Sequence, residues 1–127
     1  MLTEKDYCDY DTCVALKELG ITDCSLQYYE KGCPNTLHRN LLQALTIRTA
    51  EALGRVLAIS LYNAQKWLRE EKRILILPDY NSFGWFCGIH YPINSVKMFK
   101  YTAKEVNSYE EALSEGIKEA VKILKEE

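Results

Sequence analysis

The sequence predicts an α+β fold in which a three-stranded antiparallel sheet, with a fourth strand as an alternative, carries helices packed on it. Two segments, residues 60–72 and 108–126, show apolar residues at helical spacing. Between them lie three short runs rich in β-branched and aromatic residues. Because the connections between these runs are short, the strands are expected to pair antiparallel. The predicted order in residues 60–126 is helix, three strands, helix, preceded by N-terminal helices.

Length and composition predict one domain spanning residues 1–127. The chain has 127 residues, of which 47% are hydrophobic and 27% charged, which is typical of a globular protein. The N-terminus is acidic and has no apolar run, so we expect no secretory signal. No stretch approaches the roughly 18 apolar residues that cross a bilayer. The five cysteines are irregularly spaced, which predicts reduced thiols and a cytoplasmic location. The amphipathic helices carry mixed charge on their polar faces, so no membrane partner is expected.

The last helix has the strongest signals. Ser108 and Glu111 stand at its start and form a predicted capping box. Its apolar stripe consists of Tyr109, Ala112, Leu113, Gly116, Ile117, Ala120, Val121 and Leu124. Gly116 lies on this stripe although glycine costs about 1 kcal/mol relative to alanine in a helix. We therefore predict that Gly116 packs closely against the sheet.

Two further helices are predicted from their caps and stops. Ser60 caps the segment 60–72, whose apolar stripe consists of Leu61, Ala64, Trp67 and Leu68. A shorter N-terminal helix begins at Asp9 or Asp11 and ends at Gly20, because glycine is a common helix stop.

Residues 21–59 give mixed signals. Residues 24–29 are interpreted as a strand. Residues 37–53 look helical, although Thr46, Ile47 and Thr49 keep a strand open as the alternative.

The three central strands are bounded by prolines and turn residues. Residues 74–77 form a continuous apolar run that is expected to end at Pro78. The second strand is residues 85–91, closed by Pro92, and the third is residues 96–102.

Alternation along these strands predicts an interaction surface. It consists of Phe86, His90, Lys97, Phe99 and Tyr101. The two helices 60–72 and 108–126 are expected to cover the opposite face of the sheet. Three alternatives remain open for the face that carries the aromatic residues. Residues 34–56 cover it, a second subunit of a homodimer covers it, or its aromatic residues are simply scattered and exposed.

No catalytic site is predicted. A cysteine nucleophile needs a base beside it, and the chain has two histidines, His38 and His90. Cys87 and His90 are three residues apart in one predicted strand, so they point to opposite faces. Between Cys33 and His38 a turn at Pro34 is expected. We therefore predict a protein that is not an enzyme.

No metal or cofactor site is predicted either. Cys8, Cys13, Cys24 and Cys33 lie early in the chain, but their spacing lacks the short cysteine pairs of structural zinc sites. A buried cysteine acting as a small hydrophobic residue is the commoner case, and zinc is the alternative. No phosphate-binding or dinucleotide-binding glycine motif occurs.

The order helix, three strands, helix in residues 60–126 resembles the double-stranded-RNA-binding domain and the HicB-type antitoxin domain. In the RNA-binding family, lysines at the start of the final helix contact phosphates. Here those positions are Ser108, Tyr109, Glu110 and Glu111. Acidic residues there would repel phosphate, and this helix start resembles the antitoxin pattern more closely. Lys97 and Lys100 lie beside aromatic residues and could still contact nucleic acid, which is therefore the alternative partner.

A closer resemblance is carried by three segments: residues 9–20 (DYDTCVALKELG), 64–70 (AQKWLRE) and 108–113 (SYEEAL). They resemble a set of uncharacterised small proteins encoded by phages and mobile elements of gut bacteria, whereas residues 34–59 depart from that pattern. The resemblance implies an accessory role in a phage-related context and brings no known activity. We therefore predict a non-enzymatic accessory protein that acts through a protein–protein interaction surface. The alternative is a nucleic-acid-binding or antitoxin-like regulator.

Overall fold

Helices and antiparallel strands make up both parts of the chain, which confirms the predicted α+β class. The computed structural model describes residues 2–41, 43–93, 98–102 and 105–127. By its internal contacts the chain divides into two units, Met1–Ser60 and Leu61–Glu127. The organisation as one domain stays a prediction.

The first unit begins with a 3₁₀ turn and then alternates helices with short strands. In chain order its elements are the turn Glu4–Asp6, α1 Tyr10–Glu18, β1 Cys24–Ser25, β2 Gln27–Glu30, β3 Cys33–Arg39, β4 Leu45–Thr46, α2 Ile47–Ala52 and β5 Arg55–Leu57. Strands β3, β2 and β5 form one antiparallel sheet, and β1 pairs with β4.

The predicted N-terminal helix is confirmed as α1. Asp9 is its cap, because its Oδ1 accepts a hydrogen bond from the backbone N–H of Thr12 at 2.9 Å. The helix ends before Gly20, whose φ of +97° is a conformation that glycine adopts without strain.

The predicted helix at residues 37–53 is wrong for most of its length. Only Ile47–Ala52 is helical, and its start is set by Thr46, whose Oγ1 accepts from the N–H of Thr49 at 3.1 Å. The residues before it belong to β3 or to β4 or lie between them. In β3, His38 pairs with Tyr28 of β2, and the two rings stack with centroids 5.4 Å apart. Strand pairing, which is a tertiary effect, has therefore overridden the local helical pattern.

Two further details of the first unit differ from the prediction. Pro34 does not mark a turn but lies inside β3, an edge strand where a missing N–H is tolerated. The predicted strand at residues 24–29 is two strands, β1 and β2, with a bend at Leu26 between them. Strand β5 was not predicted, although a short apolar run after Gly54 is its signal.

The second unit has the predicted order of helix, three strands and helix. Its elements are α3 Leu61–Glu71, β6 Leu75–Asn81, β7 Gly84–Tyr91, β8 Met98–Tyr101 and α4 Tyr109–Lys125. The strands form one antiparallel sheet with β7 in the centre. Of the predicted third strand, residues 96 and 97 lie outside the described residues.

Helix α4 covers the face of this sheet that carries Ile76 and Cys87. Gly116 faces both of those side chains, which confirms it as the predicted close-packing point. Ser108 is the cap, since its Oγ accepts from the N–H of Glu111 at 3.1 Å. The capping box is incomplete, because the Glu111 carboxylate accepts from the N–H of the neighbouring residue Asn107 and not from that of Ser108. Leu124 of the predicted apolar stripe is only half-buried, whereas Ile123, which the prediction did not include, is buried.

The prediction that Pro78 ends the first strand of this sheet is wrong. The proline lies inside β6, which is an edge strand. The carbonyl of Ile76 accepts a hydrogen bond from Gln65 Nε2 at 2.8 Å, so it points away from β7. Pro78, two residues on, presents its nitrogen to the same outer side. The missing N–H therefore removes no ladder bond, and the strand continues to Asn81.

Candidate functional site

Four of the five residues of the predicted interaction surface form one continuous row of rings. Phe86 and Tyr101 have centroids 5.4 Å apart, Tyr101 and Phe99 4.7 Å, and Phe99 and His90 4.4 Å, all edge to face. We call Phe86, His90, Phe99 and Tyr101 the aromatic row. The fifth residue, Lys97, lies outside the described residues.

The register of β7 and β8 brings these rings together. His90 stands opposite Phe99, and Gly88 stands opposite Tyr101. A Cβ on Gly88 would lie 3.6 Å from both Phe99 and Tyr101, so the two rings lie over the space that the glycine leaves.

The aromatic row lies on the open face of the sheet, opposite α4. Phe99 is 43% exposed and Tyr101 is 58% exposed. Leu77 of β6 stands opposite Gly88, which puts it on the same face, and it is also exposed. A connected group of exposed apolar side chains on one sheet face is a common property of binding surfaces.

This face carries little charge within the described residues of the three strands. Asp79 of β6 stands opposite Phe86 and contributes a carboxylate. Lys100 of β8 has the opposite parity and forms an ion pair with Glu119 of α4. The lysine that sequence alone places beside the aromatic residues is therefore turned to the other face.

The two outer edges of the sheet differ. At β6 the outer edge is occupied by the side chain of Gln65 and by the ring of Pro78. At β8 the N–H of Thr102 donates to the carbonyl of Cys87 at 2.9 Å, so Thr102 directs its backbone toward β7. Because backbone direction alternates along a strand, Phe99 and Tyr101 direct their N–H and C=O groups to the outer edge.

The first unit contains a cleft of about 750 Å³ between the end of α1 and the start of α2. Its lining includes Lys17, Gly20, Ile21, Ile47, Arg48 and Glu51. Two of its charged groups are engaged with each other, since Lys17 Nζ lies 2.6 Å from Glu51 Oε2. Lys31 Nζ contacts the other oxygen of Glu51 at 2.9 Å, and these two lysines lower the pKa of Glu51 to about 2.

The cysteines and histidines are dispersed. Cys8, Cys13 and Cys87 are buried, whereas Cys24 and Cys33 are exposed. Burial raises the pKa of Cys87 to about 12, so its thiol stays protonated. Cys87 faces α4 while His90 packs on Phe99, so the two lie on opposite faces of β7, as the alternation predicts.

Within the described ranges, no three or more His, Cys, Asp or Glu side chains are grouped so that they could hold a metal ion. Among the helices of the described residues, none combines the length and the apolar character needed to span a bilayer.

Sequence reasoning missed one member of the open face, Leu77. A leucine in a wholly apolar run is not conspicuous, because it suits many structures. The signal that would have found it is the pairing of β6 with β7, which places Leu77 opposite Gly88 and next to the aromatic row. Alternation along β7 by itself already places Gly88 on the face of Phe86 and His90.

Comparison of the chain with protein-family models, with curated proteins and with solved structures finds no match.

Proposed function

We propose that this chain is a non-enzymatic protein-binding module and that the open face of β6, β7 and β8 is its docking surface. The observation that carries the proposal is the continuous aromatic row, with Phe99 and Tyr101 about half exposed. Aromatic residues are enriched at the buried centres of protein interfaces, where they contribute much of the binding energy.

The preorganisation of the row supports a binding role. Each ring contacts its neighbour edge to face, and the cross-strand pair of His90 with Phe99 holds two of them in place. Side chains that are already ordered lose less conformational entropy when a partner covers them. Exposed apolar surface gains roughly 25 cal/mol per Å² on burial, so a partner that covers this face is favoured.

Over the residues that the structure describes, the charge of the face favours a protein partner over a nucleic acid. Rows of aromatic residues on a sheet also stack on single-stranded bases, but such sites combine stacking with cations that contact phosphates. Here Asp79 brings a negative charge to the row, and Lys100 is paired with Glu119 on the other face. A carboxylate beside the rings repels phosphate and is tolerated by a protein surface.

The test is affinity capture with a tagged full-length chain from a lysate of its native host, with and without nuclease treatment. The face variant Phe99→Thr/Tyr101→Thr removes two rings and keeps residues suited to a strand. The control variant is Phe83→Thr, which removes a ring that is 83% exposed at the turn between β6 and β7, outside the row.

We expect nuclease-resistant protein partners, further copies of the chain included, on the wild type and on the Phe83→Thr control. They should be lost from the face variant. Protein partners that bind the face variant as well as they bind the wild type would contradict the proposal. Capture that nuclease abolishes, together with a shift of single-stranded RNA or DNA in a gel, would assign the face to nucleic acid instead.

A further inference from the structure

We infer that a second copy of this chain adds its own β8 antiparallel to β8, at the edge that borders the open face. The inference rests on the proposed function and extends the same docking surface into the second copy. It would join two three-stranded sheets into one across a two-fold axis.

The first step is the difference between the two edges of the sheet. Exposed strand edges are templates for pairing, and proteins block them with prolines or cover them with other groups. At β6, Pro78 has no N–H to offer and Gln65 Nε2 already donates to the carbonyl of Ile76 at 2.8 Å. Strand addition at β6 is therefore blocked, which leaves β8 as the edge of this sheet that can accept another strand.

The second step is the direction of the backbone in β8. Within the described residues, β8 pairs with β7 alone. The N–H of Thr102 donates to the Cys87 carbonyl, so the backbone N–H and C=O groups of Thr102 point toward β7. Because this direction alternates along the strand, the backbone groups of Lys100 and Met98 also point toward β7. Phe99 and Tyr101 then each present one donor and one acceptor to the outer edge.

The outer edge of β8 can pair with the same edge of a second copy. With the two-fold axis at Lys100, Phe99 of one copy stands opposite Tyr101 of the other, and each such pair exchanges two backbone hydrogen bonds. The side chains of these same residues carry the aromatic row. The rows of both copies therefore meet on one face, where cross-strand aromatic pairs stabilise a sheet.

Charge does not oppose this arrangement. The axis brings the Lys100 side chains of both copies close together on the α4 face, where two unpaired lysines would repel each other. Each Lys100 is paired with Glu119 of its own α4. The lysine charge is therefore compensated within each copy before the two copies meet.

The apolar area that self-pairing could bury indicates a weak dimer. An aromatic side chain buries about 150–250 Å², so the exposed parts of Phe99 and Tyr101 supply about 200 Å² per copy. A standard stable interface buries about 800 Å² per partner. The dimer is therefore expected to be weak and to form only at high micromolar concentrations.

The first measurement uses the wild-type chain alone. Sedimentation velocity from about 10 μM to 1 mM should show a monomer–dimer equilibrium. Amide hydrogen exchange at the two ends of this range should show protection of Phe99 and Tyr101 that grows with concentration, by at least about tenfold. The amide of Lys100, which faces β7, should be protected equally at both concentrations.

The second measurement compares two substitutions of one residue. Phe99→Ala removes the ring and keeps the outward N–H, whereas Phe99→Pro removes the ring and the N–H together. Because that N–H does not face β7, proline leaves the ladder to β7 intact. We expect the dimer dissociation constant to be higher for Phe99→Ala than for the wild type, and at least about tenfold higher again for Phe99→Pro. Circular dichroism of both variants checks that they fold.

The outcomes separate this inference from the proposed function. The self-pairing is overturned if the wild type is strictly monomeric at 1 mM. It is also overturned if the amide exchange rate of Phe99 does not depend on protein concentration. If the face variant Phe99→Thr/Tyr101→Thr still loses other protein partners, the docking surface stands with a different occupant. A dimer that Phe99→Pro and Phe99→Ala weaken equally overturns strand addition. A monomeric chain that captures no protein through this face overturns both proposals.

Discussion

Gly116 of α4 lies directly against Cys87 of β7. A Cβ built on Gly116 would stand 2.5 Å from the Cys87 Sγ and 2.6 Å from a methyl carbon of Ile76. Both side chains are fully buried, so neither has space to move aside. The helix approaches the sheet this closely only because residue 116 has no side chain.

Gly116→Ala should therefore destabilise the protein. Overpacking of a core costs about 1–3 kcal/mol, and the better helix propensity of alanine returns about 1 kcal/mol. We expect a net loss of up to about 2 kcal/mol in the free energy of unfolding, measured by urea denaturation. Adding Cys87→Ala, which removes the nearest atom, should recover part of this loss in a double-mutant cycle.

Gly88→Ala provides the opposite expectation in the same sheet. Its Cβ would lie 3.6 Å from Phe99 and Tyr101, which is ordinary van der Waals contact. The free energy of unfolding should stay within about 0.5 kcal/mol of the wild type. If Gly88→Ala were as damaging as Gly116→Ala, the rings would have to pack against the strand more tightly than this spacing allows.

The cap of α4 is a third test of stability. The Ser108 Oγ accepts from the N–H of Glu111 at 3.1 Å, and Ser108→Ala leaves that donor without its partner. The expected loss is about 1 kcal/mol in thermal or urea unfolding. Ser114→Ala, inside the same helix, is the control and should be neutral or slightly stabilising. Equal effects of the two substitutions would exclude a capping role for Ser108.

The solvent accessibility of each cysteine thiol can be measured by its rate of alkylation. Iodoacetamide at neutral pH followed by peptide mapping should label Cys24 and Cys33 at least about tenfold faster than the three buried cysteines, Cys8, Cys13 and Cys87. Burial raises the pKa of Cys87 to about 12, and the hydrogen bond with Cys13 together with burial raises the pKa of Cys8, which slows the reaction of both thiols further. In 6 M guanidinium chloride all five should react alike. Rapid labelling of Cys87 in the folded protein would contradict the packing of α4 on β7.

The carboxylate of Glu51 should titrate near pH 2. Hydrogen bonds and charge from Lys17 and Lys31 lower its pKa to about 2, whereas an unfolded glutamate has a pKa of about 4.3. The stabilisation from these contacts is therefore present above about pH 4.3 and is lost as the pH falls toward 2. Carbon-detected NMR titration should show this low value and its rise in Lys17→Met. Lys66→Met, remote in the sequence, should leave the Glu51 titration unchanged.

Much of the second unit could be predicted because its signals are local. The caps and the helical spacing of α4 and the alternation of β7 each depend on neighbours within a few residues. The same alternation correctly placed Phe86 and His90 on one face and Cys87 on the other. Gly116 was recognised because a glycine on an apolar helical stripe requires a packing reason.

The first unit was predicted less well because its strands depend on distant partners. Residues 33–39 are a strand only because they pair with β2 across a turn, and their own pattern is compatible with a helix. Pro78 likewise stays inside a strand only because β6 is at the edge of its sheet.

The sequence by itself determined the α+β class, the caps and stops of α1 and α4, and the parity of the aromatic residues, since helical period and strand alternation act over a few bonds. Only the tertiary structure decided that Leu77 joins the open face, that Lys100 pairs with Glu119, and that Phe99 and Tyr101 direct their backbones outward. These features depend on strand register and on which strand forms the edge, and both are set by contacts between residues far apart in the chain.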